Sequence, residues 1–191
     1  MIRTFAVMLL IALVIPTVIV AGPAPAIQGD PAAVAEYVAA FQKFGASTTY
    51  RSKLSSAQGA LNMEVVRPDR MRFAMPGGQF IRIANTMWTI VSGTCNRVPS
   101  SSFRLPNPEE YAQQDSDSTI QVTKTGAEAV EGDPTQTYNV VVTAKGKTGR
   151  QKVYVATQTG YPRRIDASSA EGNATIDYWD FNTAITIEPP C

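Results

Sequence analysis

From Ser47 onward, apolar residues recur at alternate positions in short runs cut by Gly, Pro, Asn and Asp. That period sends successive side chains to opposite faces of a strand, so it specifies half-buried β-structure. The runs are TTYRSKLSS, ALNMEVV, RMRFAM, QFIRIA and TMWTIVS, then STIQVTKT, TQTYNVVVTA, GRQKVYVAT, RRIDASSA, ATIDYWDF and TAITIE. Gly59, Arg67-Pro68-Asp69, Pro76-Gly77-Gly78, Asn85, Gly132-Asp133-Pro134, Lys145-Gly146-Lys147, Thr159-Gly160-Tyr161-Pro162 and Glu171-Gly172-Asn173 separate most of them. These are turn formers. About eleven strands in hairpin order predict one antiparallel sheet. Met71, Phe73 and Met75, set against Arg70 and Arg72, give it one buried and one wet face. The alternation breaks between Gly93 and Gln114, where Pro108-Glu109-Glu110-Tyr111-Ala112 starts a short helix.

One long helix precedes the strands. Asp30 is its N-cap and Pro31 its first residue; Val34, Tyr37, Val38 and Phe41 form one apolar stripe, and Gly45 stops it. A sheet of this length curls around whatever covers its apolar face, and one helix covers only part of it. The expected class is α+β, mainly antiparallel β.

The N-terminus carries Arg3, an apolar run from Phe5 to Val20, and Ala24-Pro25-Ala26. Charge, apolar run and small-x-small end are the three parts of a secretory signal peptide. As a membrane span the run is too short against the ~20 residues required, and Pro16 interrupts it. Residues 1–26 are read as the signal, leaving 27–191 as a single domain of ordinary size. Export then favours a Cys95–Cys191 disulfide over two unpaired thiols.

The chain holds 17 Lys and Arg, 16 Asp and Glu, and no His. The balanced charge argues against a nucleic-acid partner. Without His there is no Ser-His-Asp or Cys-His arrangement and no His-ligated metal. Lys145-Gly146-Lys147-Thr148 ends like a phosphate loop, but Val141 stands where its first glycine belongs, so it reads as a basic turn. Glu109 and Glu110 are adjacent and point apart. Asp177 and Asp180 fall on opposite faces of a strand, and neither pair makes an acid–base site or a cation site. Asn173-Ala174-Thr175 matches a glycosylation acceptor and is read as incidental. No catalytic residue, metal or cofactor is expected, and the chain reads as a non-enzyme.

MEVVRPDRMRFAM followed by GQFIRIANTMWTI, the middle segment TKTGAEAVEGDPTQTYNVVV, and the end YVATQTGYPRRIDASSAEGNATIDYWDFNTAITIEPP together resemble the LolA-like superfamily of lipoprotein carriers and lipid-binding envelope proteins, in the style of its mycobacterial LppX/LprG-type lipoproteins. The likeness spans most of Pro31 to Pro190 and rests on short strand-and-turn signatures. It implies an incomplete antiparallel barrel, a half-barrel, with the N-terminal and short helices covering its mouth around an apolar cavity for acyl chains. It implies a lipid or acylated molecule as ligand, an envelope protein as a further partner, and transient membrane contact. Ile19-Val20-Ala21-Gly22 resembles the run before a lipidated cysteine, but Pro23 occupies that position, so the expected form is soluble, periplasmic or secreted.

Alternation assigns the cavity lining to Met63, Val65, Met71, Phe73, Met75, Ile81, Ile83 and Trp88 in the early strands. Tyr138, Val140, Val142, Val153 and Val155 continue it in the later ones. The mature methionines, Met63, Met71, Met75 and Met87, all fall in the first five strands, which suits either a surface accepting variable apolar ligands or ordinary core filling. The leading expectation is an exported lipid carrier. The alternative is an envelope interaction or stress-sensor module of the same fold without lipid.

Overall fold

The computed structural model describes residues 26–99, 118–144, 146–170 and 172–191. The signal segment up to Pro25 and the short helix expected at 108–112 lie outside them. In chain order the elements are β1 (Ala26–Gly29), α1 (Pro31–Ala46), β2 (Thr49–Ser56), β3 (Gly59–Val66), β4 (Arg70–Met75), β5 (Gly78–Ile83) and β6 (Thr86–Val91). There follow β7 (Thr94–Pro99), β8 (Thr119–Val130), β9 (Asp133–Ala144), β10 (Lys147–Ala156), β11 (Pro162–Ser169) and β12 (Gly172–Trp179). They form one 12-stranded sheet ordered β1-β8-β9-β10-β11-β12-β2-β3-β4-β5-β6-β7. Every pairing is antiparallel except β1 with β8. The edge strands β1 and β7 do not pair, so the barrel stays open.

Helix α1 starts as its cap residues dictate. Asp30 accepts from the backbone N–H of Ala32 at 3.0 Å and of Ala33 at 3.1 Å, with Pro31 at the first turn. Its buried stripe is Ala33, Tyr37, Ala40, Phe41 and Phe44, with Val34 and Val38 partly buried at the flanks. Two-residue turns link most strands. At Ser92-Gly93 (φ 50° and 78°) and Glu131-Gly132 (φ 51° and 89°) both central residues are left-handed, which matches the twist of the flanking strands.

Three assignments differ from the sequence reading. Ala26–Gly29 is a strand, held parallel to β8 through Ala26↔Thr119 to Gly29↔Val122. Gly29 has φ 144°, and a Cβ there would run into the carbonyl oxygen of Val122, so glycine permits this close approach. Thr94–Pro99 continues the sheet beyond β6, where the alternation was expected to fail.

The third difference is TAITIE, which is not a strand. Residues 180–191 form a strap across the outer face of β2–β7. The Asn182 N–H donates to Thr49 O at 2.9 Å, and the Thr49 hydroxyl donates to Thr183 O at 2.6 Å. The Arg72 guanidinium donates to Thr186 O at 3.2 Å, and that of Arg70 to Ile187 O at 2.8 Å. These side chains take the place of a neighbouring backbone ladder. Ile187, 1% exposed, seats against Ile81 and Trp88, and Cys191 closes the strap onto β7 through a disulfide to Cys95 with Cα atoms 6.5 Å apart.

Candidate functional site

Cross-strand register decides which side chains share the inner face. Tyr50↔Val65, Ser52↔Met63 and Leu54↔Leu61 join β2 to β3; Val65↔Met71 and Met63↔Phe73 join β3 to β4. Met71↔Arg82, Phe73↔Phe80 and Met75↔Gly78 carry the face onto β5, and Arg82↔Met87 and Phe80↔Thr89 onto β6. On the other side Tyr178↔Ser52, Ile165↔Ile176, Val153↔Ile165 and Tyr138↔Val153 carry it to β9.

This face has two halves. Over β8–β12 and β2 it is filled by α1. The Phe44 ring, 0% exposed, lies 4.9 Å from Tyr50, 5.2 Å from Tyr178 and 6.0 Å from Phe181. Tyr37 packs 4.8 Å from Phe41 and 6.3 Å from Tyr138. The Tyr138 hydroxyl donates to Glu36 at 2.6 Å and Lys124 pairs with Glu36 at 2.8 Å, pinning the helix to β8 and β9. Those bonds, first that of Lys124 and then that of Tyr138, hold the Glu36 carboxyl below the usual range; burial and then Glu36 push the Tyr138 phenol up. Tyr138, Val140, Val142, Val153 and Val155, read from sequence as cavity lining, therefore sit in packed core beneath α1. The helix occupies the space assigned to ligand.

Over β3–β6 the same face is apolar beyond the reach of α1. It presents Leu61, Met63, Met71, Phe73, Met75, Phe80 and Val91, with Met87 more deeply set. Met75 is 42% and Val91 47% exposed. Leu61, Met63, Phe73, Met75, Phe80 and Val91 belong to neither buried cluster. Val65 and Met71 sit at the boundary with the filled half. Met63, Val65, Met71, Phe73 and Met75 are thus brought together on the face the alternation gave them.

Ile81, Ile83 and Trp88 are not. Ile81↔Arg72, Ile83↔Arg70 and Ile81↔Trp88 place all three on the outer face, in the cluster under Ile185 and Ile187 of the strap. QFIRI has apolar residues on both faces, so alternation within β5 leaves its orientation open. The Pro76-Gly77 turn holds the missing information: with Met75 paired to Gly78, Phe80 and not Ile81 must face Phe73. Leu61, Phe80 and Val91 are the side chains that the sequence reading passed over, and Met87, noted there, joins them.

Two arginines flank this apolar face. The Arg67 guanidinium lies 5.6 Å from the Phe44 ring centre and 5.7 Å from that of Tyr50, with its Nε buried and unbonded. Arg82 stands between Met71 and Met87 in register, its Nε donating to Ala84 O at 3.2 Å. The buried Ser52 hydroxyl also has no hydrogen-bond partner. A groove of about 510 Å³ lies elsewhere, along β9–β12, among Asn139, Arg150, Lys152, Asp166, Ser168 and Thr175. Among the described residues no group of His, Cys, Asp or Glu could hold a metal ion, and no helix is long and apolar enough to cross a membrane.

No protein-family model matches the chain, and no curated protein does. Solved structures do. The chain is similar to the Mycobacterium tuberculosis lipoprotein LppX at 14% identity and a TM-score of 0.65, over 84% of this chain and 100% of that one. It is similar to LprF from Mycobacterium bovis at 14% identity and a TM-score of 0.65, over 87% of this chain and 99% of that one. The open, twelve-stranded half-barrel with one helix seated in it thus shares the fold of these two mycobacterial proteins.

Proposed function

We propose that this protein is an exported, non-enzymatic carrier that holds an acyl chain of a lipid or lipidated molecule on the inner face of β3–β6. The observation that carries the reading is the contrast within one continuous face: α1 seals β8–β12, while Met63, Met71, Phe73 and Met75 lie beyond it and remain partly or largely exposed. Contiguous apolar surface costs free energy in water and marks a binding surface. A chain laid there gains about 0.8 kcal/mol for each methylene removed from water, so ten methylenes supply about 8 kcal/mol, and a longer chain offsets the several kcal/mol that association costs. Methionine suits the task because its unbranched thioether conforms to chains of different shape.

The Cys95–Cys191 disulfide and the N-terminal apolar run both support export, since such bonds persist in oxidising compartments. The LppX-like fold supports the carrier reading over an enzymatic one. Phe73→Asp tests the site. A fluorescent fatty-acyl probe should bind the native protein and bind the variant at least about tenfold more weakly, because the new charge loses its hydration when the chain covers it. Melting should fall little, since Phe73 lies outside both buried clusters. A native protein that takes up no probe, joined with a large loss of melting temperature in Phe73→Asp, would mean a packed sheet and no carrier.

A further inference from the structure

We infer that the ligand is an amphiphile with an anionic head, bound with that head at Arg67 and Arg82 and its chain running toward Met75 and Val91; the inference rests on the carrier reading above. The inner positions of β3–β6 are apolar apart from Thr89, opposite Phe80, and one end of the face. There Val65, Met71, Arg82 and Met87 form one row across four strands, and Arg67 follows Val65 by two residues on the same side. Arg67 faces inward, since its guanidinium lies over the Phe44 and Tyr50 rings of the core.

Placing arginine among methionines is costly unless something answers the charge. Elsewhere in this protein a carboxylate does. On the outer face Arg51 and Arg72 share Glu64, Arg163 pairs with Glu131 and Asp133, and Arg164 with Asp177. On the inner face over β8, Lys124 has Glu36. Among the described residues Arg67 and Arg82 have no carboxylate within ion-pair distance, and the inner positions of β2–β7 carry no Asp or Glu. The Arg67 guanidinium lies within 5.7 Å of two ring centres, and its buried Nε has no hydrogen-bond partner. Arg82 spends one donor on a backbone carbonyl. Two guanidinium groups at one end of an apolar track, with donors left over, complement a carboxylate or phosphate carrying an acyl tail. The hairpin tips at the other end, Met75 and Val91, are the exposed apolar positions that the tail would reach.

The test compares three probes of one chain length on the full mature protein: a fluorescent fatty acid in its ionised form, the matching primary amide and the matching amine. The native protein should bind the acid about tenfold more tightly than the amide, with the preference shrinking as salt is raised, and the amine most weakly. In Arg82→Gln the acid and amide affinities should converge to within about twofold, amide binding itself staying near native, since the apolar track is intact. Arg67→Gln should act in the same direction; if loss of its ring contacts unfolds it, Arg82→Gln alone decides. Equal binding of acid and amide by the native protein overturns the anionic head and leaves the carrier reading standing. An acid preference that survives in both variants overturns the assignment to these arginines. Failure of the native protein to bind any of the three removes the carrier reading itself.

Discussion

Deleting a phenyl ring from the helix and another from the sheet face should have very different costs. Phe44 is wholly buried, within 4.9–6.0 Å of three aromatic rings and beneath the Arg67 guanidinium. Phe44→Ala removes the transfer free energy of the ring and leaves a cavity walled by α1, β2 and β12, a loss of about 3–5 kcal/mol. At roughly 2–4 °C per kcal/mol for a domain of this size, the melting temperature should fall by about 6–20 °C. Phe73 faces Met63 and Phe80 across the pleat but belongs to no buried cluster. Phe73→Ala leaves an open surface and no closed void, so only part of the transfer term is lost, about 1 kcal/mol or 2–4 °C. Calorimetric melts of the delipidated protein and both variants make the comparison. Equal drops for the two would refute the division of the face, because Phe73 would then be as tightly packed as Phe44.

Reducing the Cys95–Cys191 bond, or replacing both residues by Ser, should cost about 4 kcal/mol for a loop of 96 residues, measured by urea unfolding with and without reductant; alkylation of both thiols before reduction would contradict the bond. The lowered pKa of Glu36 contributes stability that is complete above the ordinary carboxylate range and lost as pH falls through its folded value, so Glu36→Gln should flatten the acid limb of the stability curve below about pH 4.3. Superimposable acid unfolding curves would rule that out. N-terminal sequencing of protein from the envelope or culture medium should begin at Ile27, and retention of Met1 on cytosolic protein would remove the case for export.

Much of this architecture is written locally. Asp30-Pro31 and the Tyr37–Phe41–Phe44 stripe encode α1 within one short window, and two-residue turns encode hairpin after hairpin. What escapes a local reading is non-local. β1 is four residues long and pairs in parallel with a strand about ninety positions away, so no turn signals it. TAITIE alternates as a strand does, yet its Ile185 and Ile187 alternate to fill a hollow over Ile81 and Trp88, while arginine side chains bind its carbonyls. Period two reports burial on one side and not the presence of a ladder. The orientation of β5 was likewise ambiguous inside GQFIRI, and only the turn before it selects Phe80 for the inner face. For the candidate site, Met63, Met71, Phe73 and Met75 were legible from alternation, whereas whether the face over Tyr138 and Val153 is open depends on where the helix lies, which no strand encodes.

The most direct measurement is native mass spectrometry of the protein purified from its own host without delipidation, followed by solvent extraction and identification of what is released. The account predicts a mass above that of the disulfide-bonded mature chain, an increment removed by extraction, and an acyl-bearing anionic lipid in the extract. A bare polypeptide mass, with no uptake of acyl ligand when lipid is returned to the purified protein, would contradict it.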